Sequence, residues 1–180
     1  MAIDFPSLAV ILSLVNGLIN RWQEELGSEV EIVLGGSLVS GTALLDDETK
    51  VIDVDVRFLV DEALVPDPDL LSTIESVTGL KYRKDNVVND WPEGTSLGVM
   101  IEGFITLDGL PVPLEVEGCL RNRWYVGWHQ YYQKVLTVAE LEEIREGKRR
   151  LRNDKPAYKA FKNMWRSIVE RRAIDRGLIS

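Results

Sequence analysis

The 180-residue chain has one cysteine and one histidine. With Cys119 alone, an internal disulfide is impossible, and a reducing compartment is the expectation. Zinc sites built from Cys and His lack ligands, and a Cys–His nucleophilic pair has little support. Cys119 reads as a small buried apolar residue, and His129, between Trp128 and Tyr131, as a packed side chain. Long apolar runs are also missing. Leu8 to Ile19 is too short to span a bilayer, and Asp4 rather than a basic region precedes it. The stretch is therefore expected as a buried amphipathic helix, with no membrane partner and a cytoplasmic location. Neither Gly-Lys-Ser/Thr nor Gly-x-Gly-x-x-Gly occurs, so Walker and dinucleotide loops are absent. No internal repeat or low-complexity linker is present.

Acidic residues dominate unevenly. From Ile144 onward there are 12 Lys/Arg against 4 Asp/Glu; before it, 9 against 25. An acidic body does not favour nucleic acid as a partner over its whole surface, though it leaves one possible. The basic end is either a solvated helix face or an anion-facing surface.

The most informative stretch is Val33 to Val60, VLGGSLVSGTALLDDETKVIDVDVRFLV. It reads as strand, glycine-serine turn, short helix, acidic loop and second strand. Side chains alternate along a strand, so Asp53 and Asp55 share one face while Ile52, Val54, Val56 and Phe58 share the other. Two neighbouring carboxylates repel unless a cation lies between them, and Mg²⁺ takes carboxylate oxygens with water and phosphate as its other ligands. Gly35-Gly36-Ser37 lets a backbone come close to a phosphate. A phosphate cradle beside such a pair is the chemistry of phosphoryl or nucleotidyl transfer.

At these residues the chain resembles the nucleotidyltransferase superfamily, which includes DNA polymerase beta and minimal bacterial nucleotidyltransferases. The pattern Gly-Ser, three residues, Gly, then Asp-x-Asp in an apolar strand appears as Gly36-Ser37-Leu38-Val39-Ser40-Gly41 and Ile52-Asp53-Val54-Asp55-Val56. Ser40 stands where the family often has Arg, and Asp46, Asp47 and Glu48 lengthen the connection to Asp53. The resemblance implies an α+β fold, a small mixed β-sheet flanked by helices, with a C-terminal helical extension. The expected division is a core over 1–135 and an extension over 136–180. It also implies a third carboxylate on a neighbouring strand. Glu115 fits best and Glu117 is the second candidate; the alternative for both is edge-strand charge that blocks aggregation. The metal ligands would be Asp53, Asp55, Glu115 and Glu117, holding Mg²⁺ or Mn²⁺. Gly35, Gly36, Ser37 and Ser40 would meet a nucleoside triphosphate, and the acceptor is an unidentified hydroxyl. Arg121, Arg123, Lys81 and Arg83 could meet the triphosphate or be ordinary surface charge. Two other classes share the residues: a carboxylate-metal nuclease, and a non-catalytic binding partner of toxin–antitoxin type.

Periodicity places the remaining elements. Helices are expected over Phe5–Leu26, Ser37–Leu45, Pro66–Thr78, Trp124–Val135, Thr137–Arg152 and Ala157–Arg176. Thr137 with Glu140 forms a capping box, and Phe161, Met164, Trp165, Ile168 and Val169 form the apolar side of the last helix. Strands are expected over Glu29–Leu34, Val51–Val60, Leu80–Asn86, Ser96–Leu107 and Pro111–Leu120. Asp108-Gly109 turns the last two into a hairpin, and Pro111 and Pro113 place the start of its second strand at a sheet edge or mouth.

Overall fold

The computed structural model describes residues 2–61, 67–83 and 92–180. Pro66, residues 84–86 of the expected third strand and Trp91 lie outside them. The chain divides into two compact units, one of Met1–Gly36 with Leu45–Gly127 and one of Ser37–Leu44 with Trp128–Ser180. None of the described helices is long and apolar enough to cross a membrane.

The first unit opens with α1 (Leu8–Leu26). Ser7 caps it by accepting from Val10 N, and the Gly27 N–H closes it on Gln23 O. Its buried stripe of Ile11, Val15, Leu18, Ile19, Trp22 and Leu26 follows the 3.6 period, each residue worth about 1.5–3 kcal/mol when fully buried. The strands are β1 (Glu31–Leu34), β2 (Ile52–Val60), β3 (Lys81–Arg83), β4 (Ser96–Ile105) and β5 (Leu114–Asn122). They form one mixed sheet in the order β1-β2-β5-β4-β3, with β2 and β5 parallel and the other pairs antiparallel. A helix, α3 (Pro68–Thr78), follows Asp67, whose side chain caps it. This is the small mixed sheet with flanking helices that the resemblance implies.

The two sides of the sheet differ in chemistry. Ile52, Val54, Val56, Phe58, Leu114, Val116, Leu120 and Ile101 are buried and build the core with α1 and α3. Asp53, Asp55, Glu115, Glu117 and Glu102 alternate with them and take the other side.

One expectation is corrected here. Of the edge or mouth expected for the start of the second hairpin strand, the edge fails, because β5 is the middle strand. Pro111 and Pro113 precede it, and Pro113 contributes only a carbonyl, to Ile52 N at 3.0 Å. A proline before the first paired residue loses no ladder donor. Protection of a sheet edge therefore does not account for Glu115 and Glu117.

The second unit contains a 3-10 turn (Trp128–Tyr131), α4 (Tyr132–Val135), α5 (Val138–Leu151) and α6 (Lys155–Asp175). The capping box of Thr137 and Glu140 is present in both directions. Pro156 sits inside the first turn of α6, where its missing N–H costs nothing, instead of breaking the chain before it. Trp165, Val169 and Ala173 are the buried residues of α6, whereas Met164 is exposed. Residues 37–44 belong to this unit through hydrogen bonds with its helices. Gln133 Nε2 donates to Val39 O at 2.6 Å, Arg145 Nη1 to Gly41 O, and Lys148 Nζ to Thr42 O at 2.7 Å. Much of the basic end is thus engaged internally. Arg145 and the buried Lys148 serve these carbonyls, and Arg172 pairs with Glu140 at 2.8 Å.

Candidate carboxylate site

Strand register, not sequence distance, builds the site. Parallel pairing sets Asp53 beside Glu115 and Asp55 beside Glu117. Antiparallel pairing then sets Glu102 beside Glu117, and the exposed Phe104 beside Glu115. Glu102 was not among the expected site residues. It is the lone acid in the apolar run Ser96–Ile105, and only the hairpin register brings it next to Glu117. On its far side are Lys81, in register with it, and Arg83, whose Nε lies 3.0 Å from Oε1.

These carboxylates disturb one another. Partial burial raises the Glu115 carboxyl above the ordinary carboxylate range, and Asp53 raises it further through its charge and a shared hydrogen bond, with Glu102 adding to both. Glu117 is raised by partial loss of water, then by Asp55, Glu115, Asp53 and Glu102. Relief of this repulsion is what a divalent cation supplies. The donor set is all hard oxygen, as Mg²⁺ prefers. Among the described residues no group of three or more acidic, His or Cys side chains converges on one point that could hold an ion. The carboxylates stand as registered pairs, and one or two carboxylates per ion is the usual protein share for Mg²⁺, with phosphate and water completing the shell.

The glycine turn reaches the same place. Gly35 N donates to Asp55 O at 2.8 Å. Gly36 has φ +67°, and a Cβ built on it would stand 2.6 Å from Asp55 Cγ and 2.8 Å from Asp55 Cβ, and closest of all to Oδ2. No side chain fits there, so the position requires glycine twice over, for conformation and for space. Ser37, the next residue, starts the second unit. The helix α2 (Gly36–Ser40) is five residues long, not the nine expected over Ser37–Leu45. It stops because Gly41 turns to φ +73° and Thr42 N closes on Ser37 O at 3.0 Å. Ser40 is buried, and its hydroxyl bonds Ser37 O at 3.3 Å and Thr42 Oγ1 at 2.8 Å.

Two further expectations resolve. Arg121 is buried, with Nη1 donating to Thr95 Oγ1 at 2.9 Å and its guanidinium over the Tyr125 ring. Arg123 donates to Ser28 O, Glu29 O and Asp61, bracing the start of β1. Both are engaged within the first unit. Arg57, two residues after Asp55 on the same face, was not anticipated. Its Nη2 lies 3.7 Å from Asp55 Oδ1. Burial works against its charge, and Cys119, Asp55 and Tyr125 outweigh that and hold its pKa above the ordinary arginine value.

The raised carboxyls fix a pH dependence. Glu115 and Glu117 bind protons more tightly folded than unfolded, so stability grows as pH falls from neutral toward the carboxylate range. Glu140 acts in the opposite sense. Hydrogen bonds, chiefly from Arg172, lower its pKa to about 2, so its contribution is present above the ordinary Glu range and lost as pH falls toward 2. In divalent-free buffer the melting temperature should peak in mild acid, between about pH 4 and 6. Glu117→Gln should flatten the neutral limb and leave the acid limb in place. Melting curves across this range, in which the variant kept the wild-type neutral slope, would contradict the cluster's role.

No protein-family model matches the chain, and no curated protein matches it. Solved structures that match include a cytoplasmic RNA terminal U-transferase, 16% identical with TM-score 0.41, over 76% of this chain and 36% of that one. Another is the CdnE cyclic dinucleotide synthase of Elizabethkingia meningoseptica with GTP and Apcpp, 19% identical with TM-score 0.30, over 98% of this chain and 64% of that one. The chain spans about a third of the length of the first and under two thirds of the second.

Proposed function

We propose that this chain is a Mg²⁺- or Mn²⁺-dependent nucleotidyltransferase that moves a nucleoside monophosphate from a nucleoside triphosphate to a hydroxyl acceptor. The observation that carries the reading is the packing of the Gly36 backbone on the Asp55 carboxylate, with Glu117 in register with Asp55 and Glu115 in register with Asp53 on the same face. A turn able to approach phosphate and a set of hard oxygen ligands then occupy one corner of one sheet face. Asp53 and Asp55 would hold a metal ion and Glu115 or Glu117 would serve a second, with phosphate and water completing each shell; bound there, the metal would supply charge that offsets that of the phosphate and of the attacking and leaving oxygens. Gly35 and Gly36, with Ser37 following, would carry the triphosphate. Glu115, or Glu117, would also help activate the acceptor hydroxyl. Little other acid–base machinery is then required, in keeping with a chain that has one histidine.

The test needs no acceptor. Melting curves are recorded with each of the four ribonucleoside triphosphates, with and without Mg²⁺. A ligand at about 100 times its Kd adds about 2.7 kcal/mol, or about 5–10 °C for a chain of this size. A shift of that order that needs both metal and nucleotide is expected. A chain whose melting ignores every metal–nucleotide pair is not this enzyme.

A further inference from the structure

We propose that Arg57 is a positioning residue that fixes the plane of the Asp55 carboxylate, so that one of its oxygens stays at the glycine turn. This rests on the transferase reading above. The two oxygens of Asp55 have different neighbours. Oδ1 is the one 3.7 Å from Arg57 Nη2, and Oδ2 is the one against Gly36. The terminal torsion of an aspartate is broad, so the Asp55 backbone does not by itself fix the plane of the carboxylate.

Arg57 supplies that restraint. Its side chain is only 13% exposed, and Nη1 is tied to Val56 O at 2.9 Å, so the guanidinium is fixed to its own strand. Cys119 lies in register beside it, and Tyr125 is close enough to influence its charge. Its Nε is buried with no hydrogen-bond partner among the described residues. The group has therefore given up water on that side without full replacement, while facing the Asp55 oxygen. By holding Oδ1, Arg57 leaves Oδ2 directed at the turn where metal and phosphate would meet. Groups that orient metal ligands in this way are worth about 10–100-fold in metal affinity or activity.

The experiment titrates Mn²⁺, alone and with ATP, into wild type, Arg57→Met, Arg57→Lys, Asp55→Asn and the Arg57→Met/Asp55→Asn double variant. Free Mn²⁺ is read by its paramagnetic resonance signal, and the fold is checked by melting. Arg57→Met should bind Mn²⁺ about 10–100-fold more weakly while remaining folded, and Arg57→Lys should recover part of the loss. Added to Asp55→Asn, the Arg57 change should do nothing more, because its target is gone. Wild-type Mn²⁺ affinity in Arg57→Met, or full additivity in the double variant, overturns the role of Arg57 and leaves the transferase reading standing. A wild type that binds no Mn²⁺ in either titration overturns both. If Arg57→Met does not fold, Arg57→Lys and Arg57→Gln carry the comparison, and equal, wild-type Mn²⁺ affinity in that pair overturns the proposal.

Discussion

Asp53→Asn should leave the divalent-free protein at least as stable as wild type, yet remove most of its stabilisation by Mg²⁺ and nucleotide. Turnover should fall by about 10²–10³-fold, the scale for losing one preorganised electrostatic group. Asp53 is exposed, and the charge it loses is one that raises Glu115 and Glu117. Removing it relieves repulsion in the free protein and removes a ligand from the loaded one, so the two conditions should move in opposite directions. Asp55→Asn should share the loss of turnover and of ligand stabilisation but not the gain in the free protein. Its charge is matched by the mostly buried Arg57, and removing it costs that guanidinium its counter-ion. A loss on the order of 1 kcal/mol is expected, or about 2–4 °C. The sequence alone gave no reason to separate the two aspartates; Arg57 does. Melting curves of both variants, with and without Mg²⁺-ATP and Mg²⁺-GTP, decide the matter. Should Asp53→Asn melt lower in the free state while keeping the wild-type ligand shift, the pair is structural and the binding-partner reading takes over.

Gly36→Ala should be nearly as damaging, and Gly35→Ala nearly silent. At Gly36 the new methyl meets the Asp55 carboxylate directly, on a backbone at φ +67° that L-residues rarely adopt. The strain is about 1–3 kcal/mol. The carboxylate must shift, and a displacement of about 1 Å in a reacting constellation costs about 10²-fold in rate. At Gly35 a Cβ meets Asp55 O at 3.8 Å and Asp55 Cβ at 4.0 Å, both ordinary contacts, and no positive φ is involved. Steady-state rates and nucleotide-induced melting shifts of the two variants make a matched pair. Full activity in Gly36→Ala would separate the turn from the carboxylates and favour a nuclease, which has no use for a phosphate cradle.

What could be read in the chain was whatever depends on near neighbours. Period-2 alternation put Asp53 and Asp55 on one face, and Thr137 with Glu140 announced a helix start three residues wide. What could not be read depends on partners chosen at long range. Pro111 and Pro113 suggested a sheet edge or mouth for the start of a strand, but β5 is central because β2 pairs with it from about sixty residues away. Glu102 enters the cluster only through the register of β4 on β5. Arg57 drew no expectation, since the groups that act on its charge, Cys119 and Tyr125, lie far along the chain. The basic end of the chain offered a surface or a solvated face. Its Arg145 and Lys148 instead meet carbonyls more than a hundred positions earlier.

That last arrangement has a consequence in time. Val39, Gly41 and Thr42 find their donors 94, 104 and 106 residues later in the chain. At the usual speed of synthesis, about 5–20 residues per second, the segment after Gly36 is made about 5–20 s before those donors exist. The strands bearing Asp53, Asp55, Glu115 and Glu117 are all synthesised within that interval. Residues 37–44 therefore gain their downstream partners only after every strand that carries the carboxylate pairs has been made.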